Sequence, residues 1–174
     1  NKNENLSNFL SNQGFKSIAE RLKNNSFIKS NISEKLETKK IDNKFFLINN
    51  SEDLNKLIIL IKKTGYFAID TETNSLNIEE ANLVGVSIAV NENSAYYIPI
   101  NHKNLEDNKR FNKQIKENDL IKLLQPVCND PSILKIGHNI KYDLRILEKY
   151  NLKLTSIADT MLLSYAIDNG ITKH

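Results

Sequence analysis

Cysteine is nearly missing from this chain: Cys128 stands alone among 174 residues. A single thiol excludes an internal disulfide framework, so no disulfide partner is expected. It suits a reducing compartment, with Cys128 as a small core residue. Long apolar runs are missing too. No stretch approaches the ~18 residues needed to cross a bilayer, and the opening residues lack the basic-then-apolar pattern of a secretory signal. The expectation is a cytoplasmic protein with no membrane partner. Arginine is scarce: Arg21, Arg110 and Arg145 are the only ones, so the cations are nearly all lysine. The formal net charge of +3 permits a polyanionic partner without arguing for one. What is present is 40% hydrophobic sequence, enough for one domain with a core plus some unpacked chain.

The opening NKNENLSNFLSNQGFKSIAERL spaces Leu6, Phe9, Leu10, Phe15, Ile18 and Leu22 near helical period, with Gly14 as a break. It predicts two short helices over residues 1–23. Residues 24–43 turn polar and rich in Ser, Asn and Lys, a linker composition. A globular domain is expected over 44–174. There KFFLIN reads as a strand and SEDLNKLIILIKK as a helix, with Ser51 as its N-cap. YFAIDTE, LVGVSIAV and SAYYIPI read as strands, the last two joined as a hairpin through NENS. DLIKLLQPVC is a helix ended or bent by Pro126, ILKIGH a strand, and NIKYDLRILEKY a helix. DTMLLSYAI opens a last helix with Asp159 at its cap. Interleaved helices and strands predict a layered α/β domain with an antiparallel edge from the hairpin.

Within YFAIDTE, Asp70 and Glu72 are two residues apart, so strand periodicity puts both on one face and Thr71 on the other. Two carboxylates ~6–7 Å apart repel unless solvent screens them or a cation sits between them. Hard oxygen donors suit Mg²⁺ or Mn²⁺, and the lack of nearby His or Cys argues against zinc. A lone Asp-x-Glu is more often a solvated turn, so the pair needs company. GHNIKYDLRIL offers it. Gly137, His138 and Asn139 lie where a strand hands over to a helix, and Asn139 and Asp143, four apart, would share a helix face beside Tyr142. On local grounds Asn139 serves equally well as a helix cap, and Asp143 as a first-turn acid favoured by the helix dipole. Lys141 and Arg145 are either solvated helix charges or partners for a phosphate chain. Strand ends and helix starts converge at the carboxyl edge of an α/β sheet, so Asp70, Glu72 and Asp143 could make a binuclear metal cage there.

Taken together, FAIDTETNSL, ANLVGVSIAV, AYYIPINH, LKIGHNIKYDLRIL and IADTMLLSYAI resemble, in order and spacing, the 3′–5′ exonuclease domain of bacterial DNA polymerase I, a DEDD exonuclease. The resemblance covers residues 45 to 174. More weakly, NLSNFLSNQGFKSIAERL resembles the segment that precedes this domain in such polymerases. The resemblance implies a ribonuclease-H-like mixed β-sheet flanked by helices and incomplete at the C-terminus. It implies Asp70, Glu72 and Asp143 as catalytic ligands of two divalent ions, Mg²⁺ or Mn²⁺. It also implies DNA contacts at Thr73, Leu76, Asn139 and Tyr142, Leu76 acting as an apolar wedge. Lys141 and Arg145 are candidate phosphate partners, and His138, which stands where relatives often have Gln, is a further candidate DNA contact. The expected partners are a single-stranded or frayed 3′ end of DNA and a polymerase domain of the same parent chain, in the bacterial nucleoid. The family's third motif, Tyr-x-x-x-Asp, does not follow IADTMLLSYAI before His174. The chain is therefore expected to be a piece of a longer protein and weak or inactive alone. A free-standing RNA-processing exonuclease and an inactive scaffold are the alternatives.

Overall fold

The computed structural model describes residues 43–104 and 106–168. The helices expected over 1–23 and nearly all of the linker expected over 24–43 lie outside them. The chain divides into two compact units, Ile41–Leu163 and a second made of Asn1–Lys40 with Ser164–His174. The sheet and every site residue described below belong to the first.

Among the described residues ten elements follow one another: β1 (Lys44–Leu47), α1 (Ser51–Thr64), β2 (Tyr66–Thr73), β3 (Leu83–Asn91), β4 (Ser94–Pro99), α2 (Glu117–Cys128), β5 (Leu134–Gly137), α3 (Lys141–Lys149), β6 (Ile157–Asp159) and α4 (Thr160–Asp168). The strands form one mixed sheet in the order β1-β4-β3-β2-β5-β6. The central β2-β3-β4 meander is antiparallel, whereas β1 on β4, β5 on β2 and β6 on β5 are parallel. The α/β expectation holds. The β3–β4 hairpin is not an edge, however, because β1 pairs with the outer side of β4. β6 was not expected; of its three residues only Asp159 had a reading, as the cap of the following helix.

Local chemistry explains most boundaries. Asn50, not Ser51, caps α1: its side-chain oxygen accepts the Asp53 N–H at 2.9 Å. At the other end Gly65 takes φ 75° and donates its N–H to the Ile61 carbonyl, turning the chain straight into β2. Pro126 does not end α2. It frees the carbonyl one turn back, yet the helix runs on to Cys128, and the Asn129 N–H closes on the Gln125 carbonyl at 3.0 Å.

Alternation along β2 separates two environments. Phe67 and Ile69, with Val86, Ile88 and Val90 of β3, join one buried cluster with Leu54, Leu57 and Ile61 of α1, Leu120 and Leu124 of α2, and Ile146 and Leu147 of α3. Cys128 lies in that cluster, and burial pushes its thiol up to about 12. Lys135 of β5 is also fully buried. Its Nζ donates to the carbonyls of Asp130 and Ile133, each at 2.7 Å, and to the Thr155 hydroxyl at 3.3 Å. It fastens the turn before β5 to the segment before β6. The residues between, on the other side of the pleat, are small. Ladder register sets Ala68 level with Ala89 and Ala95, and Asp70 level with Ser87 and Tyr97. Ala68, Asp70, Ser87, Ala89 and Ala95 help line an open trough of about 330 Å³ that ends at His138 and Thr160. The sheet thus has a packed side and a shallow side, and the acids stand on the shallow one.

Candidate active site

The site begins where β2 loses a neighbour. Its pairing with β5 stops at Ala68 opposite Ile136, whereas its pairing with β3 continues to Thr73. Beyond Ala68 one edge of β2 is open, and backbone groups there need other partners. Asp143, in the first turn of α3, supplies one. Its Oδ1 accepts the Thr71 N–H at 2.8 Å and the Thr71 hydroxyl at 2.6 Å. Both residues are buried, Asp143 to 4% exposure. At that depth these two hydrogen bonds replace the water the carboxyl group has lost.

Asp70 and Glu72 stay exposed on the shallow face, as alternation predicts. The Asp70 carboxyl is raised above the usual range, first by its partial burial, then by the charges of Asp143 and Glu72. The Asp143 charge, held at the open edge by Thr71, thus acts on Asp70 through space. Among the described residues no cation forms an ion pair with any of these three acids. Nor does any group of three His, Cys, Asp or Glu residues stand gathered as a metal cluster. The acids are neighbours in one field without forming a closed cage.

The turn into α3 differs from the expected one. Asn139 lies outside the helix at φ 55°, so it does not share a helix face with Asp143, and it is not the cap either. What holds it is Asp159, whose carboxylate accepts four backbone N–H groups. Two come from the turn, Asn139 at 3.0 Å and Ile140 at 3.1 Å; two come from α4, Met161 at 2.9 Å and Leu162 at 3.4 Å. Burial opposes its ionisation, but these N–H groups outweigh burial and hold the carboxyl below its usual value. Asp159 does cap α4, as expected, and holds the turn before α3 as well. His138 Nδ1 lies 3.0 Å from the Thr160 hydroxyl, which in turn donates to the Gly137 carbonyl at 3.1 Å.

Tyr142 and Thr73 come together. The Tyr142 hydroxyl donates to the Ser75 carbonyl at 2.7 Å and shares a 2.6 Å hydrogen bond with the Thr73 hydroxyl. This ties α3 to the turn after β2, on which Leu76 stands 91% exposed. Lys149 secures the far side of that turn through the carbonyls of Ile78, Glu79 and Ala81. Lys141 and Arg145, four apart on α3, are exposed.

Sequence reasoning missed two further contributors. Thr71 was merely the residue facing away, yet it anchors the third acid. Tyr97 of β4 extends over Gly85, where any Cβ would collide with its hydroxyl. Gly85 is the ladder partner of Glu72. The Tyr97 hydroxyl shares a 2.5 Å hydrogen bond with His102 Nε2, and it is held above its usual range by burial and then by the Glu72 charge. A glycine directly across the strand from an acid was the available signal.

Comparison with known proteins fits this geometry. Residues 45–172 match the family model described as 3′-5′ exonuclease. DNA polymerase I of Rhizobium leguminosarum is 35% identical over 143 residues, which are 75% of this chain and 14% of that protein. DNA polymerase I of Borreliella burgdorferi is 32% identical over 171 residues, 89% of this chain and 17% of that protein. The chain thus spans under a fifth of the length of these relatives. Among solved structures, Trypanosoma brucei RNase D superposes with a TM-score of 0.60 at 13% identity, covering 73% of this chain and 41% of that one. The RNase domain of yeast Pop2 does so with a TM-score of 0.55 at 13% identity, covering 72% and 70%. These last two likenesses speak to the fold alone, which is that of such nucleases. The family match and the polymerase relatives go further: the chain belongs to the 3′–5′ exonuclease family of bacterial DNA polymerase I.

Proposed function

We propose that the chain serves as the proofreading exonuclease of a DNA polymerase I, hydrolysing the terminal phosphodiester at the 3′ end of single-stranded or frayed DNA with two divalent ions. The observation that carries this reading is the placing of Asp70 and Glu72 on one exposed face of β2, with Asp143 held on Thr71 at the open edge of the same strand. Partial burial and then the charges of Asp143 and Glu72 raise Asp70, no cation among the described residues is paired to it, and the donors are all hard oxygens. Such a set fits Mg²⁺ or Mn²⁺. When bound, the ions would supply charge neutralisation and Lewis acidity toward a phosphodiester.

The chain's own residues supply position. Thr71 fixes one oxygen of Asp143, and no hydrogen bond among the described residues engages the other. The Tyr142–Thr73–Ser75 hydrogen bonds set the floor of the turn that presents Leu76. An apolar side chain so exposed suits a wedge against a terminal base, and Lys141 and Arg145 offer charge to a backbone. The strand would be held by stacking and apolar wedging with no base-edge readout, which makes cleavage sequence-tolerant. Mismatched ends would be favoured because they unpair at lower cost.

The test uses a longer chain that continues past His174 as the polymerase relatives do. It degrades 3′-labelled single-stranded DNA with Mg²⁺ or Mn²⁺, and Asp70→Ala abolishes this. Metal-dependent activity that is absent from the extended protein overturns the reading. RNA degraded as fast as DNA transfers it to the RNA-processing alternative. The 174 residues alone turn over slowly, because no Tyr-x-x-x-Asp follows Asp143 within them.

A further inference from the structure

Between β4 and α2 the chain runs through NHKNLEDNKRFNKQIK, residues 101–116, which carry Lys103, Lys109, Arg110, Lys113 and Lys116 against Glu106 and Asp107. This segment is braced. Arg110 donates from Nε and Nη2 to the Ile100 carbonyl at 2.9 and 2.5 Å, and from Nη2 to the Ile115 carbonyl at 3.1 Å. Gln114 clasps His102 twice, accepting its N–H at 2.7 Å and donating to its carbonyl at 2.9 Å. Lys103 and Arg110 pair as an antiparallel bridge, and the Phe111 N–H donates to the His102 carbonyl at 3.1 Å. The frame occupies the Arg110 guanidinium, and Lys109 is paired with Asp107 at 3.4 Å.

Besides Lys116 and Glu106, the frame leaves over Lys103 and Lys113, both exposed and in no ion pair among the described residues, and Phe111 at 52% exposure. A lone exposed apolar side chain needs no explanation in general. Phe111 differs by its setting: its backbone is held in a hydrogen-bonded frame, the Lys103–Arg110 bridge is next to it along the chain, and Lys113 lies two residues on. That frame adjoins the acids. His102 bonds the Tyr97 hydroxyl, Tyr97 covers Gly85, and Gly85 pairs with Glu72.

We propose that Lys103, Phe111 and Lys113 form an accessory contact for single-stranded nucleic acid, Phe111 stacking on a base and the lysines meeting the flanking phosphates. Stacking is indifferent to base identity, and cation–phosphate contacts are indifferent to sequence, which suits a strand fed through an exonuclease. The inference rests on the nuclease reading above, which supplies the polyanion. An acidic protein would engage the lysines but give the ring no flat partner.

The test measures anisotropy of a labelled oligothymidylate bound to the 174-residue chain in EDTA, where no turnover occurs, over a range of salt. Phe111→Ala weakens binding about tenfold and Phe111→Tyr leaves it unchanged, because base stacking needs only the ring. Replacing both Lys103 and Lys113 with alanine lowers the slope of log affinity against log salt by about 1.4, roughly 0.7 for each phosphate contact released. If the parent chain binds no DNA, the nucleic-acid reading fails and this contact fails with it. If it binds and neither the affinity nor the slope responds to these substitutions, the accessory contact is wrong while the nuclease reading stands. A loss confined to the lysine variant, with polyglutamate competing as well as DNA, assigns the surface to an acidic protein and overturns the proposal.

Discussion

Replacing Asp70 with asparagine raises the melting temperature of the metal-free protein and removes the nuclease activity of the extended chain. The two effects have one cause. Partial burial and the charges of Asp143 and Glu72 raise the Asp70 carboxyl in the folded protein above its usual value. The folded state therefore binds that proton more tightly than the unfolded state does. Its contribution to stability is fully present below the unfolded value, ~3.9, and is lost as pH rises through the folded one. At neutral pH the ionised carboxylate is a cost, and asparagine removes it. Melting curves should show the variant more stable at pH 7, with the advantage closing toward pH 3. Mn²⁺ should raise the melting temperature of the parent chain and raise that of the variant much less, since only a ligand bound to the folded state stabilises it. Activity falls by about 10³-fold or more, because metal-borne charge stabilisation contributes several kcal/mol and each ~1.4 kcal/mol is a factor of ten. An Asp70→Asn protein that melts lower at pH 7 would show that the acid is compensated by the fold.

Lys135→Ala costs about 3 kcal/mol of folding stability, the largest effect expected outside the acids. The substitution leaves the carbonyls of Asp130 and Ile133 without their shared donor and opens a space where a fully buried stem lay. Hydrogen bonds to a charged group contribute ~1.5–3 kcal/mol each but do not add, and an orphaned buried carbonyl carries its own penalty. Lys135→Met keeps the stem and loses about 1 kcal/mol less, a methionine filling most of the space with no donor. Urea titration of the three proteins measures both differences. Equal stability of Lys135→Ala and the parent chain would mean that water replaces the ammonium.

Local pattern was enough to place the two exposed acids. In FAIDTETNSL the buried Phe67 and Ile69 alternate with Ala68 and Asp70, and periodicity alone sets Asp70 and Glu72 on the shallow face. The turn of Asn139 depended on a residue twenty positions away, so the four-residue spacing to Asp143 suggested a shared helix face that the backbone does not adopt. The hold of Thr71 on Asp143 depended on where β5 stops pairing with β2, which neither strand's own sequence encodes. At α1, Asn50 and Ser51 are both good caps, and only the chain's path chose between them. β6 was illegible for a different reason: three residues are too short for a period. Its identity as a strand comes from its neighbour β5.

One carboxylate, that of Asp159, holds the backbone at Asn139 and Ile140 and at Met161 and Leu162. The first two residues lie in a turn outside any strand, where amide protons ordinarily exchange with solvent at nearly the rate of an open chain. Here they cannot exchange without breaking the clasp, and breaking it also frees the first turn of α4. The four amides should therefore lose protection as one group, with a common opening free energy, and Asp159→Ala should speed all four together in hydrogen–deuterium exchange. The two helix starts, Lys141 and Thr160, would then open and close as one cooperative unit although they are far apart along the chain.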